Sequence, residues 1–127
     1  MSQQHALVID DNAQNRKVLV QLLSKQGIDA TEVPDSRKLS NSLPTMGPVD
    51  VVFLDLEMPG LDGYDVKNLL RAHLGATPII AYTVHVSEIN AVKKQGFDGF
   101  IGKPVDHTRF PEQLERILSG QQVWERA

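Results

Sequence analysis

In this chain of 127 residues, the side chains able to do charge chemistry gather where short apolar runs end. AlaLeuValIle at 6–9 is followed by Asp10 and Asp11, and ValValPheLeu at 51–54 by Asp55. IleIleAlaTyr at 79–82 is followed by Thr83, and GlyPheIle at 99–101 leads to Lys103 and Pro104. Ligands of an open α/β sheet bind beyond the carboxyl ends of its strands. If the runs are parallel strands, three carboxylates, a hydroxyl and an ammonium share one rim. Taken singly, each residue is ordinary: an Asp after a strand is more often a turn former or helix cap, given its turn preferences. Together they are not, because three adjacent carboxylates repel unless positive charge sits among them. A hard cation meets that need, and Mg²⁺ commonly takes one or two carboxylates, waters and a phosphate oxygen. A carboxylate can also act as a nucleophile and form an aspartyl phosphate. That product needs charge neutralisation, which Lys103 can supply, and a hydrogen-bond donor, which Thr83 can supply.

The elements that must position these residues follow from the hydrophobic pattern. The runs at 6–9, 51–54 and 79–82 are continuous, as in strands buried on both faces. A weaker run at 28–33 alternates and contains Asp29 and Glu32, as at a sheet edge. Helical spacing predicts a helix from near Asn12 to Gly27 through Val18, Leu19, Leu22 and Leu23. A second such set, Tyr64, Val66, Leu69, Leu70 and Leu74, ends at Gly75. Ser87 can cap a third stretch carrying Ile89, Val92 and Lys93, closed by Gly96. Pro111 opens a last helix with Leu114, Ile117 and Leu118, closed by Gly120. A weak helix is expected over 36–43, and 120–127 reads as a short polar tail that includes Trp124. Strand–helix alternation repeated five times predicts a parallel sheet covered on both faces, with right-handed crossovers.

Composition sets the outer bounds. The hydrophobic share of 41% and charged share of 23% are those of one ordinary globular domain. There is no cysteine, hence no disulfide, thiolate metal site or cysteine nucleophile. No apolar run is long enough to span a membrane, and MetSerGlnGlnHis is not a signal peptide, so a cytoplasmic location is expected. A net charge of −3 without a basic stripe argues against direct nucleic-acid binding. His5, His73 and His107 are too scattered for a metal site.

ValIleAspAspAsn at 8–12, PheLeuAspLeuGluMetProGlyLeuAspGly at 53–63, Thr83 and the LysPro pair at 103–104 resemble the receiver domain of two-component response regulators. The resemblance covers about residues 5–119. It implies a flavodoxin-like, doubly wound fold with a five-stranded parallel sheet in the order 2-1-3-4-5 and five helices. It further implies phosphotransfer to Asp55 from a histidine kinase or a phosphotransfer protein. Asp11 and Asp55 would ligate Mg²⁺ directly, Asp10 largely through water, and Glu57 through its backbone carbonyl. Thr83 and Lys103 would contact the phosphoryl oxygens, and Phe100 would be an aromatic that responds to the Thr–phosphate contact. The Lys103–Pro104 bond is expected to be cis. The surface of the fourth helix, fifth strand and fifth helix would carry the output, to a downstream protein or to self-association.

The chain also departs from the family pattern. Val84 stands where a small residue is common, and Glu57 and His85 fill the two variable positions flanking the phosphoryl site. The rival readings are weaker. A degenerate receiver that serves only as an interaction module usually lacks one of the acids, the Thr or the Lys, all present here. AspLeuGlu at 55–57 only loosely resembles the AspXAsp motif of haloacid-dehalogenase-type phosphatases. A flavodoxin would need a Ser/Thr/Gly-rich loop where AspAspAsnAlaGlnAsn stands. The expectation is one receiver domain over 1–127, a stand-alone phosphoacceptor switch and not a turnover enzyme.

Overall fold

The computed structural model describes residues 4–35, 39, 43, 47–56, 63–83, 89–103 and 105–125. Its elements in chain order are β1 (His5–Ile9), α1 (Ala13–Lys25), β2 (Asp29–Val33), β3 (Val51–Asp55) and α2 (Gly63–Leu74). There follow β4 (Ile79–Thr83), α3 (Ile89–Lys94), β5 (Gly99–Gly102), α4 (Phe110–Leu118) and β6 (Val123–Glu125). The strands form one sheet in the order β2-β1-β3-β4-β5-β6, every neighbouring pair parallel.

The continuous apolar runs are explained by two-sided burial. Alternate residues of each strand feed two separate cores, because successive side chains point to opposite faces. On one face Ala6, Val8, Phe53, Tyr82 and Ile101 pack with Leu19, Leu22 and Leu23 of α1 and Phe110, Leu114 and Ile117 of α4. On the other, Leu7, Ile9, Leu54, Ala81 and Phe100 pack with Val66 and Leu70 of α2 and Val92 of α3. The alternating run is β2 at the sheet edge, where only Val33 is buried. Most of the helix expected over 36–43 lies outside the described residues, but Leu39 and Leu43 are buried in the second core. No helix among the described residues is long and apolar enough to cross a membrane.

One expectation is corrected. The polar tail is not a tail: residues 123–125 form a sixth strand on the outer edge of β5, with Val123 opposite Gly99, Trp124 opposite Phe100 and Glu125 opposite Ile101. The sheet therefore has six strands where five were expected. Its closeness to β5 depends on a missing side chain. A Cβ built on Gly99 would lie 2.7 Å from the Val123 carbonyl oxygen and 2.8 Å from Ile80 Cδ1. The strand is also held at its side chains. Glu125 pairs with Arg109 and Arg116, and Lys93 Nζ sits 5.0 Å from the centre of the Trp124 ring.

Candidate functional site

Four parallel strands end at one rim, and each ends on a polar residue or is followed at once by one. The turn after β1 is tied down from several directions. The Asp10 amide donates to the Val33 carbonyl at 3.2 Å. One Asp10 carboxylate oxygen accepts from the Asn12 amide at 2.9 Å. Asn12 in turn caps α1 by accepting from the Asn15 amide at 3.0 Å, which satisfies one of the orphan donors of a helix start. Arg16 donates to the Asp10 carbonyl at 2.8 Å and pairs with Glu32 of β2 at 3.1 Å. Asp10 is thereby fixed inward and fully buried, while Asp11, the next residue, is exposed.

Asp55 ends β3 at 2% exposure and Thr83 ends β4 fully buried. Lys103 follows β5, its amide donating to the Thr83 carbonyl at 2.9 Å. Its ammonium then reaches across the rim, 3.1 Å from Asp55 Oδ1 and 3.2 Å from Asp10 Oδ2, with only 6% of its side chain exposed. Burying three ions costs several kcal/mol each in desolvation, which only close pairing offsets. The pairing is incomplete. Asp10, Asp11 and Asp55 each offer an oxygen within 4.8 Å of the others, three carboxylates against one ammonium. This donor set contains oxygen only and carries excess negative charge, so it suits a small hard cation rather than a soft one.

One contributor escaped the sequence reading. Tyr82, opposite Asp55 in the β3–β4 register, places its ring under the Lys103 ammonium at 4.7 Å from the ring centre. A ring face attracts a cation, so Tyr82 helps the two carboxylates hold the Lys103 ammonium. Burial, and then the charges of Asp10 and Asp55, push the Tyr82 phenol well above its ordinary pKa of 10.0, so it stays neutral. At the end of an apolar run Tyr82 read simply as core, and no spacing signal separates the two roles.

The structure thus brings Asp10, Asp11, Asp55 and Lys103 together, with Thr83 at the same rim. Phe100 is fully buried in β5, between Ala81 of β4 and Trp124 of β6 in register. Glu57, Val84, His85 and Pro104 lie outside the described residues.

A parallel sheet of this order, with an acidic rim and a crossing lysine, defines a class, and comparison with known proteins gives the same one. The profile of the response regulator receiver domain matches residues 6–115; the chain belongs to this family, the receiver domains of two-component systems. Among its relatives, the DNA-binding response regulator MtrA of Mycobacterium tuberculosis is 34% identical over 103 residues, covering 80% of this chain and 44% of that protein. The histidine kinase CKI1 of Arabidopsis thaliana is 32% identical over 120 residues, covering 79% of this chain and 11% of the kinase. The chain spans less than half the length of these curated relatives. Among solved structures, the chemotaxis protein CheY4 of Vibrio cholerae superposes with a TM-score of 0.80 at 22% identity, covering 91% of this chain and 99% of that one. The receiver domain of a sensor histidine kinase from Pseudomonas aeruginosa, solved with a magnesium ion coordinated in its active-site cleft, has a TM-score of 0.80 at 25% identity, covering 94% and 100% of the two chains.

Proposed function

We propose that this receiver accepts a phosphoryl group on Asp55 from a histidine kinase or phosphotransfer protein and thereby switches a partner-binding surface. The observation that carries the reading is the rim itself: Asp10, Asp11 and Asp55 within 4.8 Å of one another, with the Lys103 ammonium 3.1–3.2 Å from two of them. Asp10, Asp11, Asp55 and the Glu57 carbonyl are the groups that would hold Mg²⁺, which supplies charge neutralisation for an incoming phosphoryl group. A magnesium ion in the cleft of the Pseudomonas relative supports that assignment.

The chain's own residues have distinct tasks in this reading. Asp55, at the end of a fully buried strand, is the nucleophile, and its burial restricts which donors reach it. Lys103 is already within ion-pair distance of Asp55, and a fixed ammonium stabilises charge without reorganising. Thr83 donates its hydroxyl to a phosphoryl oxygen. The protein is then a switch that catalyses only its own phosphorylation and dephosphorylation. Residues 1–127 form one receiver unit, whose net charge of −3 gives no electrostatic footprint for nucleic acid.

The test is chemical. Incubation with acetyl phosphate and Mg²⁺ should yield one acid-stable, base-labile phosphate per chain, located on Asp55 by peptide mapping. Asp55→Asn should abolish it. Phosphate appearing on a serine, threonine or histidine, or on no residue from either acetyl phosphate or a phosphohistidine donor with Mg²⁺ present, would overturn the reading.

A further inference from the structure

We infer that the outer edge of β5, between α3 and α4, is a docking groove for an extended strand, and that its occupant besides the chain's own residues 123–125 is the same segment of a second copy. The groove reads three successive residues by three different means. At Val123 it offers Gly99, where a Cβ would come within 2.7 Å of the Val123 carbonyl oxygen; only a residue without a side chain admits the strand this closely. At Trp124 it offers the Lys93 ammonium of α3, 5.0 Å from the ring centre. At Glu125 it offers two guanidinium groups, Arg109 and Arg116 at the two ends of α4. Backbone pairing at a sheet edge gives affinity, and pockets for particular side chains give specificity. An apolar–aromatic–acidic segment is what this basic groove selects, and ValTrpGlu is that sequence.

The own strand is a weakly held occupant. It has three residues and follows α4 after a four-residue link, 119–122, in which Gly120 takes φ 95°. Arg109 and Arg116, which both pair with Glu125, are spaced seven apart and so share one face of α4. Exchange of an identical element between copies recreates every contact, and a short hinge favours it. The family profile ends at residue 115, so this strand belongs to the chain and not to the matched receiver core.

The experiment uses full-length chains and a labelled synthetic peptide of residues 119–127, followed by fluorescence anisotropy. Glu125→Lys puts a cation against Arg109 and Arg116, releases the chain's own strand and leaves the groove intact. That variant should bind the peptide at least tenfold more tightly than the wild-type chain, whose groove is filled. A peptide carrying the same Glu125→Lys change should bind neither. Adding Gly99→Val to the variant should remove binding, which places the peptide on β5. Trp124→Ala serves as a second opened chain if Glu125→Lys does not fold by circular dichroism. A folded opened chain that ignores the peptide, equal binding by wild type, or binding that survives Gly99→Val would each overturn the inference. No readout involves Asp55, so the outcome is independent of the phosphoryl reading.

Discussion

Lys103 is gripped by the carboxylates of Asp10 and Asp55 and by the ring of Tyr82. The consequences can be measured at single positions. Mg²⁺ should raise the melting temperature of the wild-type chain, and Asp11→Asn or Asp55→Asn should remove most of that rise. At about ten times its dissociation constant a ligand adds roughly 1.4 kcal/mol, or about 5 °C for a domain of this size. An unchanged melting curve in millimolar Mg²⁺ would count against the metal assignment. Without metal the two substitutions should differ. Asp11→Asn removes an exposed charge from the crowded rim and should stabilise the chain. Asp55→Asn also strips Lys103 of one of its two carboxylates, so its benefit should be smaller. Tyr82 gives a pH signature in metal-free buffer. Its folded pKa lies above its unfolded value of 10.0, so its contribution is intact below that pH and is lost as pH rises beyond it. Tyr82→Phe should keep the ring under Lys103 and flatten the loss of stability above about pH 10; an alkaline limb as steep as wild type would show that other groups dominate there.

At the scale of elements, β5 is flanked by β4 on one side and β6 on the other, and it carries Phe100 between them. The proposed switch therefore includes β6 along with α3, β5 and α4. A beryllofluoride mimic of phosphorylation should alter amide exchange across 89–125, and identical exchange with and without the mimic would refute a switch on this face. Gly99→Ala should unpair β6 from β5 with little change in helix content, seen as a red shift of Trp124, the only tryptophan. Unshifted emission would mean that Ile80 and the strand yield to the added methyl.

These elements were unequally legible. AlaLeuValIle, ValValPheLeu and IleIleAlaTyr announce their strands because burial on both faces leaves no polar position to break the run. The acidic rim followed from what ends those runs, and so did Lys103. β6 gave no such signal. Three residues are too few for periodicity, and two glutamines precede them. What holds the side chains of Val123–Glu125 is supplied by Lys93, Arg109 and Arg116, which lie on two helices and are individually indistinguishable from solvated surface charge. Tyr82 was hidden for the opposite reason, since a ring that packs in the core and a ring that carries an ammonium look alike in a pattern.

In the molecule as a whole, the described residues form two hydrophobic cores, one on each face of the sheet. The Phe110 ring lies 6.0 Å from that of Phe53, tilted by 43°, on one side, and Leu70 is fully buried on the other. Phe110→Ala should cost ~3–5 kcal/mol and Leu70→Ala ~2–5 kcal/mol. Lying on opposite sides of the sheet, the two should add within about 0.5 kcal/mol in urea denaturation. A coupling well beyond that would mean that the sheet transmits strain between its faces.

The direction of β6 has a practical corollary. All six strands run parallel, so each points its carboxyl end toward the rim of aspartates. A chain stopping after α4 would finish at the opposite end, where β1 begins. The sixth strand carries it back, and Glu125 emerges one strand away from the β5 residues that lead to Lys103. Anything joined behind this point, whether an affinity tag, a fluorophore or a further stretch of polypeptide, is delivered to the rim. The same addition ahead of His5 is delivered to the far pole. Handles for immobilisation therefore belong at the amino end, and a dye meant to sense events at Asp55 belongs at the carboxyl end.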